Sequence, residues 1–125
     1  MGNRLLLLRR SEKNTFLPGY YDIPGGKIEE DETPEQALLR EVREETNLVV
    51  LIGPHFNTVQ YKNKYGFEIV ETHFFVTLLS SFSSLRLSDE HDEVTLATQE
   101  SISKLEMSDE MRTWCKKAFA EYEKK

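Results

Sequence analysis

The chain is poor in the residues that staple, anchor or break small proteins, with one cysteine, one tryptophan, four prolines and six glycines among 125 residues. With Cys115 alone no intrachain disulfide can form, and a reducing compartment, the cytoplasm, is expected. No apolar run approaches the roughly 20 residues that cross a bilayer, and the four leucines at 5–8 are too few for a signal-peptide core. No membrane partner is expected. Basic charge is also short: 16 Lys and Arg face 22 Asp and Glu, and the net charge of -6 supplies no footprint for a nucleic acid polymer. The pattern G-x-x-x-x-G-K-[ST] of a phosphate-binding P-loop is absent. Without repeat, low-complexity tract or linker, residues 1–125 read as a single domain, and 38% hydrophobic and 10% aromatic content suits one core.

What the chain does have is a dense acidic helix behind a glycine pair. Residues 26–48 read GKIEEDETPEQALLREVREETNL. Thr33 as N-cap, Pro34 at N1 and Gln36 at N3 make a capping box, which predicts a helix over 34–46. At about 100° per residue, Glu41, Glu44 and Glu45 share one sector of roughly 100°, while Leu38, Leu39 and Val42 fill the next. One side packs and its neighbour is anionic. Glu41 and Glu45 stand at i,i+4, a like-charge pair that costs on the order of a few tenths of a kcal/mol on an isolated helix, so something positive is expected there. A solvated helix, with Arg40 pairing Glu44 and Arg43 screening the rest, has the same charge pattern, and an ordinary turn uses the same Gly25-Gly26 pair. Carboxylates grouped without Cys or His suit Mg²⁺ or Mn²⁺ and argue against zinc.

Elsewhere the leucine run before Arg9-Arg10 predicts a buried strand, residues 11–19 a loop, and Tyr21-Asp22-Ile23 a short strand entering the glycine turn. A strand beginning at 49–52 is expected to be interrupted by Gly53-Pro54. Two longer strands follow over 56–62 and 67–79, with a turn at 63–66 between them. A strand at 94–97 and a short helix at 100–105 precede a last helix from Ser108. There Met111, Trp114, Cys115, Ala118, Phe119 and Tyr122 keep the spacing of a buried stripe, which makes Trp114 packing rather than a base-stacking platform.

The order of glycine turn, acidic connection, capped helix and carboxylates resembles the signature of the Nudix hydrolases, G-x5-E-x7-R-E-U-x-E-E-x-G-U, with U aliphatic. Gly26 opens it, Glu32 follows after five residues, Arg40-Glu41 after seven more, then Val42, Glu44-Glu45 and Leu48. Asn47 stands where the family has a second glycine; Asn also adopts the left-handed conformation that closes a helix, so it serves as the C′ residue. The wording around the glycines is most similar to the MutT-like branch, and a weaker likeness runs from about Arg4 to about Phe119. The resemblance implies an α/β (α+β) fold, an α/β/α sandwich with a mixed sheet between helices. The family's first strand is missing, because Met1 lies inside the turn formed by Gly2-Asn3. Either a partner chain fills the uncovered edge, as in a homodimer, or the natural protein begins further upstream.

The same resemblance implies Mg²⁺, with Mn²⁺ able to substitute, held by Glu41, Glu44, Glu45 and the Gly25 carbonyl. Arg40 would orient the carboxylates, and Gly26 and Glu32 would support the loop and helix. MutT-like proteins carry a further Glu six residues before a Trp; Leu96 occupies the Trp position, and counting back gives Glu90 as an added metal ligand or general base, with Glu93 as runner-up. A solvated acidic loop at 89–93 is the competing reading. Arg9 and Arg10 follow the first strand where relatives bind phosphate, and Lys27, directly after the glycine pair, joins them as a substrate-binding candidate. Tyr20, Tyr21 or Phe74 are candidates to stack on a base. His55, His73 and His91 read as structural or surface residues. The implied activity is cleavage of a phosphoanhydride in a small nucleotide, foremost a nucleoside triphosphate, oxidised ones included. Diadenosine polyphosphates, which the spacing of Tyr65 suggests, ADP-sugars, and a catalytically silent nucleotide-binding module are the alternatives.

Overall fold

The computed structural model describes residues 4–63 and 65–123. The expected turn at Gly2-Asn3 and the chain start at Met1 lie outside the described residues. Strand β1 (Leu5–Arg10) is the middle of a three-stranded antiparallel sheet, flanked by β2 (Tyr21–Asp22) and by β5 (His91–Ala97). Between β2 and β5 come helix α1 (Pro34–Thr46) and a long hairpin of β3 (Val50–Lys62) and β4 (Glu68–Leu78), which forms a separate two-stranded sheet. Helix α2 (Asp109–Glu123) ends the described chain. Among the described residues, no helix is long and apolar enough to cross a membrane.

The leucine run has a physical explanation in the two packed layers. Leu7, with Leu5 beside it, enters a core of Ala97, Ile102, Met107, Cys115 and Phe119 on the α2 side, whereas Leu6 joins Val42, Leu48 and Val50 on the α1 side. A strand covered on both faces needs no polar alternation. The α/β class and the helix-flanked arrangement agree with expectation. The mixed sheet needs correction in one respect: every ladder among the described residues is antiparallel. The short turn between β3 and β4 favours that pairing in the hairpin, since parallel neighbours require a crossover.

Helix α1 has the expected bounds. The Gln36 N–H donates to Thr33 Oγ1 at 3.1 Å and the Thr33 N–H to Gln36 Oε1 at 2.9 Å, closing the capping box. Asn47 ends it at φ 61°, and its side-chain amide donates to the Ser84 carbonyl at 3.0 Å, a bond that glycine cannot make. The last carbonyls of the helix accept from the following loop, Thr46 from the Arg86 N–H at 2.9 Å and Glu45 from the Ser88 N–H at 3.2 Å. The orphan acceptors of a helix end therefore anchor the segment that leads to Glu90.

Two strand boundaries differ from expectation. Gly53-Pro54 does not interrupt β3; the ladder shifts register between Ile52 and His55 and again between His55 and Asn57. A bulge accommodates a proline that cannot donate, and a Cβ on Gly53 would stand 3.0 Å from the Phe75 carbonyl oxygen. Strand β5 starts at His91, three residues ahead of the expected 94, because Arg10 pairs with His91 and Arg9 with Glu93 across the ladder. The 100–105 segment is a single 3-10 turn, Ser101–Lys104. In α2, Cys115, Ala118 and Phe119 are buried as expected, while Tyr122 is exposed at its end.

Candidate active site

Arg40 is the organising cation of the acidic helix. Its Nε and Nη2 donate to the two Glu32 carboxylate oxygens at 2.8 and 2.9 Å, its Nη1 to Glu41 Oε1 at 2.8 Å and Glu44 Oε1 at 3.2 Å, and Nη2 also to the Lys27 carbonyl at 2.9 Å. One guanidinium thus fastens the glycine turn, the acidic connection and the helix together. Hydrogen bonds from Arg40, followed by one from the Glu29 N–H, hold the Glu32 carboxyl down at about 2. The bonds it donates to Glu32 and Glu41 raise the Arg40 guanidinium above its ordinary value.

Both glycines answer to this chemistry. Gly25 sits at φ +148°, where side chains are strained, and its N–H donates to Glu45 Oε1 at 3.2 Å. Gly26 lies under the Glu41 carboxylate, and a Cβ there would be 2.6 Å from Glu41 Cδ. Glu45 is buried, at 7% exposure. Burial pushes its carboxyl up to about 8 against the opposing bond from Gly25, with Glu41 and Asp22 adding repulsion.

A cleft of about 460 Å³ collects Arg10, Gly25, Gly26, Lys27, Arg40, Glu41, Glu44, Glu45 and Glu90 from the expected set. Glu32 stands behind Arg40, and Asn47 closes the helix. Arg9 does not face the cleft. It pairs with Asp92 at 2.8 Å and Glu93 at 3.1 Å on the opposite side of β1, and Tyr21 Oη donates to Glu93 at 2.9 Å. Alternation along β1 separates Arg9 from Arg10, and the register shift that leaves Asp92 between the Arg10–His91 and Arg9–Glu93 pairs takes Glu93 away from the site although it stands only two residues from His91. Tyr21, Phe74 and Tyr65 are likewise absent from the cleft wall. Arg10 is partly engaged there, donating through Nε to the Phe16 carbonyl at 2.8 Å and through Nη2 to Asn14 Oδ1 at 2.9 Å, with Asp22 Oδ2 at 3.3 Å from Nη1.

Asp22, Glu29, Ser88 and His91 line the cleft without having been expected there. His91 is 6% exposed and belongs to the cleft wall, not to a surface loop. The cross-strand pairing of Leu8 with Asp22 and of Arg10 with His91 brings Asp22 and His91 to one face, and the sole hint available in the sequence is the i,i+2 relation of Leu8 to Arg10. His73 is structural as expected, buried with Nδ1 3.0 Å from the Asn57 amide and its ring 4.9 Å from Trp114.

Among the described residues, no three His, Cys, Asp or Glu side chains already form a metal cage. The donor set nevertheless fits a hard cation: Glu41, Glu44 and Glu45 carry only oxygen donors, share one cleft, and include a buried carboxyl crowded by its neighbours.

A glycine turn under a carboxylate, an arginine-bound acidic helix and two packed helical layers place the chain in a class that the family profile for the NUDIX domain also matches, over residues 1–118. The chain belongs to the Nudix family. It is 46% identical over 59 residues to an 8-oxo-dGTP diphosphatase of Proteus vulgaris, a match covering 47% of this chain and 52% of that protein. The chain therefore spans about half the length of this curated relative. The fold superposes on the MutT protein of Methanosarcina mazei with a TM-score of 0.77 at 29% identity, covering 96% of this chain and 85% of the other. An Ap4A hydrolase of C. elegans matches with a TM-score of 0.75 at 25% identity, covering 98% and 88%.

Proposed function

We propose that the chain is a Mg²⁺-dependent nucleotide pyrophosphohydrolase of the MutT type that cleaves a nucleoside triphosphate between phosphorus atoms. The observation that carries this reading is a cleft in which Arg40 gathers Glu41 and Glu44 beside the buried Glu45, with Glu90 and the cations Arg10 and Lys27 also lining it. Similarity to the Proteus vulgaris diphosphatase and the Methanosarcina mazei MutT protein supports it.

Glu41, Glu44 and Glu45, with the Gly25 carbonyl, would hold Mg²⁺ or Mn²⁺; of its two candidate roles, metal ligand and general base, Glu90 takes the second. A cation bound there would offset phosphate charge and lower the pKa of a water. Arg40 keeps the carboxylates in register along α1. Arg10 and Lys27 supply positive charge for phosphate oxygens, and Arg10 must exchange some of its contacts at Phe16 and Asn14 to do so. Glu90 accepts a proton from the attacking water; the new P–O bond forms as the bridging P–O bond breaks, and two phosphorylated products leave. No protein nucleophile is needed.

The test is a screen of nucleoside triphosphates, 8-oxo forms included, with dinucleoside polyphosphates and ADP-sugars, in Mg²⁺, scored by the phosphate products. A nucleoside monophosphate plus pyrophosphate is expected. Preferred turnover of dinucleoside polyphosphates moves the assignment towards the Ap4A hydrolase relative, and binding without turnover of any substrate makes the chain a silent nucleotide-binding module.

A further inference from the structure

Among the described residues, the buried side-chain nitrogen and oxygen atoms lacking a hydrogen-bond partner are Asp22 Oδ1, Ser88 Oγ and both ring nitrogens of His91. All belong to residues that line the cleft, and His91 is joined to both others, by its Nε2 3.3 Å from Asp22 Oδ1 and by its N–H to the Ser88 carbonyl. Buried polar atoms are nearly always paired, because an unpaired one forfeits the hydrogen bonds it had in water. Their concentration at one place therefore points to a bound group between them.

The chemistry of the three side chains defines that group. Asp22 accepts, the His91 ring supplies at least one donor nitrogen, and Ser88 both donates and accepts. His91 Nε2 stands 3.3 Å from Asp22 Oδ1 without the alignment of a hydrogen bond. Even a turned ring that made this bond would leave Nδ1 and Ser88 Oγ without partners. An anion is disfavoured by the Asp22 carboxylate, whose Oδ1 is one of the unpaired atoms. A metal ion is disfavoured because Arg10 already faces Asp22 Oδ2 at 3.3 Å. A small neutral molecule that both donates and accepts is what remains.

We infer that Asp22, Ser88 and His91 bind an internal water that positions Glu90. The location gives the water its role. Ser88 and His91 bracket Glu90, with the His91 N–H donating to the Ser88 carbonyl and the Ser88 N–H to the Glu45 carbonyl, each at 3.2 Å. On the far side, Glu90's carbonyl accepts from the Ser11 N–H at 2.9 Å and from the Asn14 amide at 2.8 Å. The backbone around Glu90 is thus held to α1 and to the loop after β1, and the water adds a tie to β2 through Asp22. These three are positioning residues: they act through Glu90 and do not touch the reacting atoms. The inference rests on the hydrolase reading only for its effect on turnover.

The experiment combines a high-resolution crystal structure of the wild-type protein with melting temperatures and kinetics of Ser88→Ala, His91→Leu and His91→Asn. A water within hydrogen-bond distance of Asp22 and His91 is expected. His91→Leu should lower kcat about tenfold, the scale of losses from supporting hydrogen-bond partners, with KM nearly unchanged and partial recovery in His91→Asn. A dry wall with a direct His91 to Asp22 bond overturns the inference. So do apolar variants that melt higher than wild type with unchanged kcat, as replacement of truly orphaned polar atoms produces. If the chain turns over no substrate, the crystallographic water and the sign of the melting shift still decide the matter separately from the proposed activity.

Discussion

The Glu41 carboxylate rests over the Cα of Gly26, so close that a Cβ at that position would lie 2.6 to 2.8 Å from its carbon and both oxygens. Glycine is required there for space and not for backbone conformation, since Gly26 does not have positive φ. The glycine turn and the helix share one surface of contact, and the contact is made through a proposed metal ligand.

Gly26→Ala should accordingly separate stability from activity. The neighbour that must move is the end of a flexible side chain, so unfolding free energy should change by no more than about 1 kcal/mol. Displacing Glu41 should lower kcat on the order of 10²-fold, as expected of misplaced catalytic groups. Denaturant unfolding alongside turnover measures both, and wild-type kcat in the variant would remove Glu41 from the metal site.

Glu45 gives a pH dependence whose sign can be worked out. Its folded carboxyl is pushed up to about 8, from an ordinary value of 4.5. Between those values the folded protein holds a proton that the unfolded chain has released, so stability of the metal-free protein should fall as pH rises through this window. Glu45→Gln should flatten the slope and melt higher than wild type at pH 8, while turnover drops on the order of 10²-fold or more. Glu44→Gln should lose turnover with less effect on the slope, because Glu44 is exposed. Parallel melting curves for wild type and Glu45→Gln across this pH range would contradict the burial argument.

Mg²⁺ or Mn²⁺ should raise the melting temperature by binding the folded state alone, and the gain should grow with pH as Glu45 ionises. Zinc should not be required. Scanning calorimetry with chelator and with increasing Mg²⁺ tests this, and full turnover after exhaustive chelation would end the metal assignment.

Glu90 and Glu93 should differ sharply. Glu90 lines the cleft, whereas Glu93 is bonded to Arg9 and Tyr21 on the other side of the sheet. Glu90→Gln should lower kcat strongly and alter the pH profile while nucleotide binding in metal changes little. Glu93→Gln should stay within a few-fold of wild type, the range of a surface substitution. Turnover against pH for both variants is the measurement, and equal near-wild-type profiles would assign Glu90 to the solvated surface.

The amino-acid sequence by itself determined helix α1, its capping box, its left-handed end at Asn47 and the sector shared by Glu41, Glu44 and Glu45. These depend on contacts three or four residues apart, which a helix repeats wherever it is placed. The core stripe of α2 is legible for the same reason. Only the tertiary structure decided that Arg10 faces the cleft and Arg9 does not, that Glu90 joins the carboxylates and Glu93 leaves them, and that His91 is buried against Asp22. Neighbouring residues on a strand point to opposite faces, so each of those outcomes turns on a register set by pairing between segments as distant as Arg10 and His91. The continuity of β3 through Gly53-Pro54 has the same origin: a bulge is defined by the partner strand, and β4 supplies it from across the hairpin.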